Sequence, residues 1–128
     1  MTLNEFYIKC VLPLMAEKQS AAGAYGEQFV AVVNAVLTEL APLNDRLRLA
    51  AGEEAPGVRI YAAADELPFD RGLLMGCAAY GCAARLYVDE AGDEANMVGF
   101  LESCYEAGKT RFTKAEYVAV KRTFGREE

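Results

Sequence analysis

The chain has 128 residues, a formal net charge of −6 at pH 7 and 53% apolar side chains, with no histidine and no tryptophan. That length suits one domain able to bury roughly two-thirds of its unfolded surface, and nothing in the ordinary globular composition suggests disorder across the body. The opening Met-Thr-Leu-Asn-Glu-Phe lacks the basic stretch of a secretory signal, and the uncharged run at 72–84 is shorter than the roughly 20 apolar residues a bilayer span needs, so a cytosolic setting is expected.

Thr2 and Glu5 form a Thr-x-x-Glu capping box. It opens a helix expected over about 3–16, where Leu3, Phe6, Tyr7, Cys10 and Leu14 recur near the 3.6-residue period. Pro13 lacks an amide and crowds the preceding turn, so it should kink this helix or end it shortly before. Residues 19–24 read as a connector. A second helix is expected over about 26–40, with Phe29, Val32, Val33, Val36, Leu37 and Leu40 as its apolar stripe. Val30 widens that stripe, which suggests burial on more than one side, and Pro42 is expected to close the helix.

Residues 43–69 carry two short alternations, Arg46-Leu47-Arg48-Leu49 and Val58-Arg59-Ile60-Tyr61, around Gly52, Pro56 and Gly57. Period 2 fits a short β-hairpin in residues 46–62; a long loop crossing the helices is the alternative. Asp70 is placed to cap the next helix, and Pro68 disfavours helix just before it.

A third helix is expected over about 71–88, with Leu74, Cys77, Ala78, Gly81 and Val88 on one face and Leu73, Tyr80 and Tyr87 on another. Cys77-x-x-x-Gly81 and Ala78-x-x-x-Cys82 set small residues one turn apart, which lets a second helix approach closely. Interior glycines cost roughly 1 kcal/mol each relative to alanine, so packing must offset them. The acidic run 89–94 lacks the alternating acids of a calcium loop. It reads as a break at Gly92, with Asp93 and Glu94 at the positive end of the following helix.

That fourth helix is expected over about 93–107, on Met97, Phe100, Leu101, Cys104 and Tyr105, antiparallel to the third and capped by Gly108. Thr113-Lys-Ala-Glu116 then reads as a second capping box, flanked by Phe112 and Tyr117 as a hydrophobic staple. The expected fold is mainly α: a four- to five-helix bundle-like domain with the hairpin as an option. Residues 1–111 form its body, and a basic C-terminal helix at 112–128 belongs to the same domain or acts as an inter-subunit arm.

Charge divides along the same line. Residues 1–108 hold seven Lys/Arg against sixteen Asp/Glu, a net −9, whereas residues 109–128 hold six against three, a net +3. An acidic body disfavours broad nucleic-acid binding, while a basic tail suits an acidic partner or another copy of the chain. Lys114, Tyr117, Lys121, Arg122 and Phe124 are therefore the candidate subunit or partner interface, with Tyr117, Val120 and Phe124 as a narrow apolar stripe.

Catalytic chemistry is not visible. Cys10, Cys77, Cys82 and Cys104 form no Cys-x-x-Cys pair and have no histidine to share a metal, so they read as buried free thiols, with a disulfide or a reactive thiol as the alternatives. The usual neutral-pH general base is missing, neither Ser20 nor Ser103 sits in a nucleophile elbow, and there is no glycine-rich phosphate loop. Adjacent acids at Asp65/Glu66 and Asp89/Glu90 read as solvated. No catalytic, cofactor or metal site is expected.

One resemblance covers about two-thirds of the chain. Asp65-Glu66-Leu67-Pro68, the segment Ala79-Tyr80-Gly81-Cys82-Ala83-Ala84-Arg85-Leu86, the acidic turn Asp89 to Glu94, and Phe100-Leu101-Glu102-Ser103-Cys104-Tyr105-Glu106 follow in that order. The stretch is similar to the small α-helical head–tail connector proteins of tailed bacteriophages and prophages, also called adaptor or head-completion proteins. Residues 3–40 resemble that family's opening helices less specifically. The resemblance implies a non-catalytic ring subunit that bridges portal and tail during virion assembly. It further implies partners among portal or tail-completion proteins, DNA only in passage through the channel, and residence in the cytoplasm and then the virion. Residues 43–69 and the tail helix exceed what a minimal connector needs. A small cytosolic helical interaction or regulatory module is the alternative.

Overall fold

Four helices organise the described part of the computed structural model, which covers residues 1–15, 28–88 and 95–125. The connector at 19–24 and the acidic break at 89–94 lie outside the described residues. Helix α1 (residues 3–15) starts at the expected capping box: the Glu5 amide donates to Thr2 Oγ1 at 3.1 Å, and the Thr2 amide donates to Glu5 Oε1 at 3.1 Å. Two further amides of its first turn are taken by a distant loop, Leu3 N–H by the Asp65 carbonyl and Asn4 N–H by the Ala63 carbonyl. Pro13 does not end α1. The pitch changes around it, from α-helix at Leu3–Phe6 to a π-turn at Tyr7–Val11 and a tight 3-10 turn at Leu12–Met15. The Tyr87 hydroxyl donates to the Met15 carbonyl and so satisfies one acceptor that this helix end leaves free.

Helix α2 is Gln28–Ala50, and it runs ten residues past the end expected at Leu40. Pro42 sits inside it on the exposed side. The carbonyl that loses a donor there belongs to Thr38, also exposed, where water can serve it. The apolar stripe meanwhile runs on through Leu40, Leu43 and Asn44 to the half-buried Leu47, at helical spacing. The actual stop is Gly52, at φ 81°, where the Gly52 amide donates to the Leu49 carbonyl and the Glu53 amide to the Arg48 carbonyl, the paired bonds of a Schellman cap.

The hairpin option at 46–62 is therefore overturned. Residues 46–50 are helical, and among the described residues no strand forms, only an isolated bridge between Thr2 and Glu66. Residues 51–70 are the crossing loop. Two asparagines of α2, Asn34 and Asn44, hold it. Asn34 Oδ1 accepts from the Tyr61 amide at 2.8 Å while its Nδ2 donates to the Tyr61 carbonyl at 2.8 Å. Asn44 Oδ1 accepts from the Asp70 amide at 2.8 Å, and its Nδ2 donates to the Pro68 carbonyl at 3.0 Å. Both side chains are buried.

Helix α3 (residues 71–88) begins, as expected, at Asp70, whose Oδ1 accepts from the Leu73 amide at 2.9 Å. A π-turn at Leu74–Ala78 precedes the regular Ala79–Val88. Its small residues are used as the spacing predicts, for close antiparallel packing. Helix α4 is Ala95–Gly125; its Tyr105 ring lies where a Cβ on Gly81 would come within 2.8 Å. Farther along, a Cβ on Gly108 would meet the Gly76 carbonyl at 2.9 Å, and the Phe112 ring rests against Gly72 and Gly76.

Three expectations for this region fail together. Gly108 does not cap α4; its missing side chain lets the helix cross α3, and the ladder continues. Residues 112–125 continue the same helix rather than starting a new one, so position 111/112 falls within one continuous helix. Thr113 behaves as a mid-helix residue, its hydroxyl donating to the Lys109 carbonyl at 2.7 Å. The buried face is also rotated from the expected stripe: Met97 and Phe100 are 36% and 60% exposed, while Leu101, Tyr105 and Gly108 are buried. The glycines of α3 select which side of α4 can come closest.

Two substitution results follow from these contacts. Asn44→Leu should lower unfolding free energy by about 2–3 kcal/mol in urea titration, since it strands the Pro68 carbonyl and the Asp70 amide. Gly81→Leu should cost a similar amount, about 2–3 kcal/mol, through overpacking against Tyr105. Gly99→Ala, with nothing within 4 Å of the added Cβ, should instead raise stability by about 0.5–1 kcal/mol.

Candidate functional site

The uncharged stretch 28–38 gives α2 an N-terminal half with two apolar sides. One side, carrying Val33, Val36 and Leu37, is buried in the core. The other lines an open groove of about 930 Å³, with Val30, Ala31, Ala35 and Thr38 on one wall and Ile60 and Ala63 on the other. Ala31 and Ala35 are exposed and one turn apart, so the floor is low; Ile60, 77% exposed, stands above it. Phe29 lies at one end of the groove, its ring stacked on Tyr7 at 4.1 Å between centroids. The second wall exists because Asn34 pins Tyr61 to α2 and so fixes its neighbours.

Beside the groove the chain turns acidic. Asp65 and Glu66 are exposed; Asp65 Oδ2 accepts from the Ala62 amide, and Glu66 Oε2 lies 2.8 Å from the Met1 ammonium. Arg59 lies over the Tyr61 ring at 5.8 Å, and Phe69 meets that ring edge-on. Burial pushes the Tyr61 phenol above its ordinary pKa, so it stays neutral.

A charged seam joins α2, α3 and α4. Glu39 Oε2 pairs with Arg85 at 2.5 Å, and Glu39 Oε1 accepts from the Tyr105 hydroxyl at 3.1 Å. Arg85 and Lys109 lie over the Tyr105 ring, at 5.9 and 4.7 Å. Burial, with the Glu39 carboxylate beside it, pushes the Tyr105 phenol strongly upward. This seam fixes the packing of α4 on the body. Arg111 adds a hydrogen bond to the Gly76 carbonyl at 3.2 Å.

Of the residues singled out for an interface, Lys114 is exposed on α4. Tyr117, Lys121, Arg122 and Phe124 belong to the last turns of the same helix, with side chains outside the described residues. Lys114 does not line the groove. Sequence reasoning missed the groove. Its signals were Val30, which widened the α2 stripe, and the alanines at 31 and 35 in an uncharged helix.

Among the described residues, no group of His, Cys, Asp and Glu is arranged to hold a metal, and no helix is long and apolar enough to cross a membrane. All four cysteines are free. No protein-family model, curated protein or solved structure matches the chain.

Cys77 and Cys82 are buried; desolvation pushes the Cys77 thiol up to about 11 and Cys82 further still. Both are therefore protonated at neutral pH, and the thiolate is the reacting form. Alkylation of the native chain at pH 8, read by peptide mass spectrometry, should label the half-buried Cys104 while sparing Cys77 and Cys82 until denaturant is added.

Proposed function

We propose that the chain is a structural subunit of a phage or prophage head–tail connector ring, bridging portal and tail during virion assembly without catalysis. The observation that carries this reading is how the structure uses the tract resembling connector proteins. Ala79, Gly81, Cys82, Ala83 and Ala84 are buried, and Gly81 lies against Tyr105 of the aromatic helix that follows. The resembling residues thus form the scaffold of the body, and the surfaces left for neighbours are the groove and the end of α4. A subunit with two distinct contact surfaces suits a ring, whose neighbours meet head to tail. The acidic body suits a channel wall that repels passing DNA.

The open apolar groove also favours a second reading, a small helical module that captures one protein partner. That reading places a monomer or compact dimer in solution. Mass measurement and negative-stain microscopy of the chain, alone and with portal and tail-completion proteins from the same genome, separate the two. Rings, free or seated on the portal, are the expected result. A chain that remains a monomer or dimer and ignores both proteins would overturn the connector reading.

A further inference from the structure

We propose that the end of α4 from one copy of the chain docks in the α2 groove of the next. This deepens the ring reading and rests on it for the neighbour, a second copy. The groove presents α2 from Val30 to Thr38, about 12 Å of helix at 1.5 Å per residue. The stripe Tyr117, Val120, Phe124 recurs at helical spacing over about 10 Å, in a segment whose backbone is helical to Gly125. The dimensions match an apolar helix face laid in a groove. Alanines at 31 and 35 give a second helix room to approach, and Ile60 offers it a flank.

Charge points the same way. The groove's α2 wall, 28–38, has no charge; on the loop that forms its second wall Arg59 precedes Ile60, while Asp65 and Glu66 follow Ala63, with Glu66 paired to the Met1 ammonium. Residues 113–125 hold Lys114, Lys121 and Arg122 against Glu116. A basic helix end thus meets an uncharged floor, within a body whose net charge is −9.

The same-chain alternative is opposed by direction. Tyr105 of α4 meets Glu39 of α2, and seven residues later Phe112 meets the first turn of α3 at Gly72, next to Asp70, which Asn44 of α2 holds. Helix α4 therefore advances from residue 39 of α2 toward residue 44, away from the groove at 30–38. A continuous helix to Gly125 cannot turn back to fill it. Two different surfaces on one chain make the contact head to tail, and such contacts close into a ring when the rotation allows.

The test is photo-cross-linking of the full chain with benzoylphenylalanine in place of Ile60, using an equal mixture of ordinary and ¹⁵N-labelled protein at high concentration. Ile60 is 77% exposed, so the replacement leaves the core intact. The expected product joins position 60 to peptides from 113–125, with mixed-isotope pairs showing contact between copies. Pairs confined to one isotope, cross-links elsewhere on the chain, or none at all would overturn the proposal. Ala35→Glu, checked for native helicity by circular dichroism, should reduce the mixed-isotope product at least tenfold; an unchanged yield would also overturn it. Portal-bound rings without this cross-link sink the docking and spare the connector reading. The cross-link without any ring on a portal does the reverse.

Discussion

Two buried asparagine side chains hold the long loop at residues 51–70, and most of the remaining geometry depends on them. A carboxamide offers an acceptor and two donors, so it can pair with backbone as another peptide group would. Asn34 takes both backbone polar groups of Tyr61, and Asn44 takes the Pro68 carbonyl and the Asp70 amide. Without such partners a loop lying against an apolar helix would bury backbone groups that nothing satisfies. With them, residues 51–70 become a strap along α2. The strap delivers the Ala63 and Asp65 carbonyls to the first turn of α1 and sets Asp70 to cap α3. It also raises the second wall of the groove.

The other constraint is the close crossing of α3 and α4. Gly76, Gly81 and Gly108 each stand where a side chain would strike the opposite helix. Their lost helix propensity is offset by contacts that larger residues would hold apart. The crossing fixes α4 along most of the body and, through the seam of Glu39, Arg85 and Tyr105, ties it to α2 as well. The core is thereby closed by apolar packing, while an open apolar groove remains on the outer side of α2.

Much of this was legible residue by residue. The Thr2–Glu5 box, the Asp70 cap, the span of α3 and its close approach to α4 follow from short-range chemistry that tertiary structure did not override. The departures share one cause: a proline or glycine stops a helix or not according to its surroundings. Pro42 looks like a stop, but an exposed proline on a long apolar helix can be carried, and Leu40, Leu43 and Leu47 already continued the helical period. Arg46 to Leu49 alternates by chance of two leucines, and Gly52 was the real stop. Gly108 and Thr113 looked like an end and a new beginning; one is a crossing point and the other an ordinary helical threonine.

The sequence by itself determined that the chain is mainly helical, where the caps of α1 and α3 fall, and that small residues on α3 meet a following helix, because those properties depend on neighbours within a turn or two. Only the tertiary structure decided that α2 and α4 run unbroken through their proline and glycine, that two asparagines bind a loop, and that a groove opens beside them. Those outcomes depend on residues 24 or more positions apart, such as Asn44 with Pro68, Asn34 with Tyr61 and Gly76 with Gly108. A glycine that ends a helix and a glycine that lets two helices touch are the same residue until the second helix is in place.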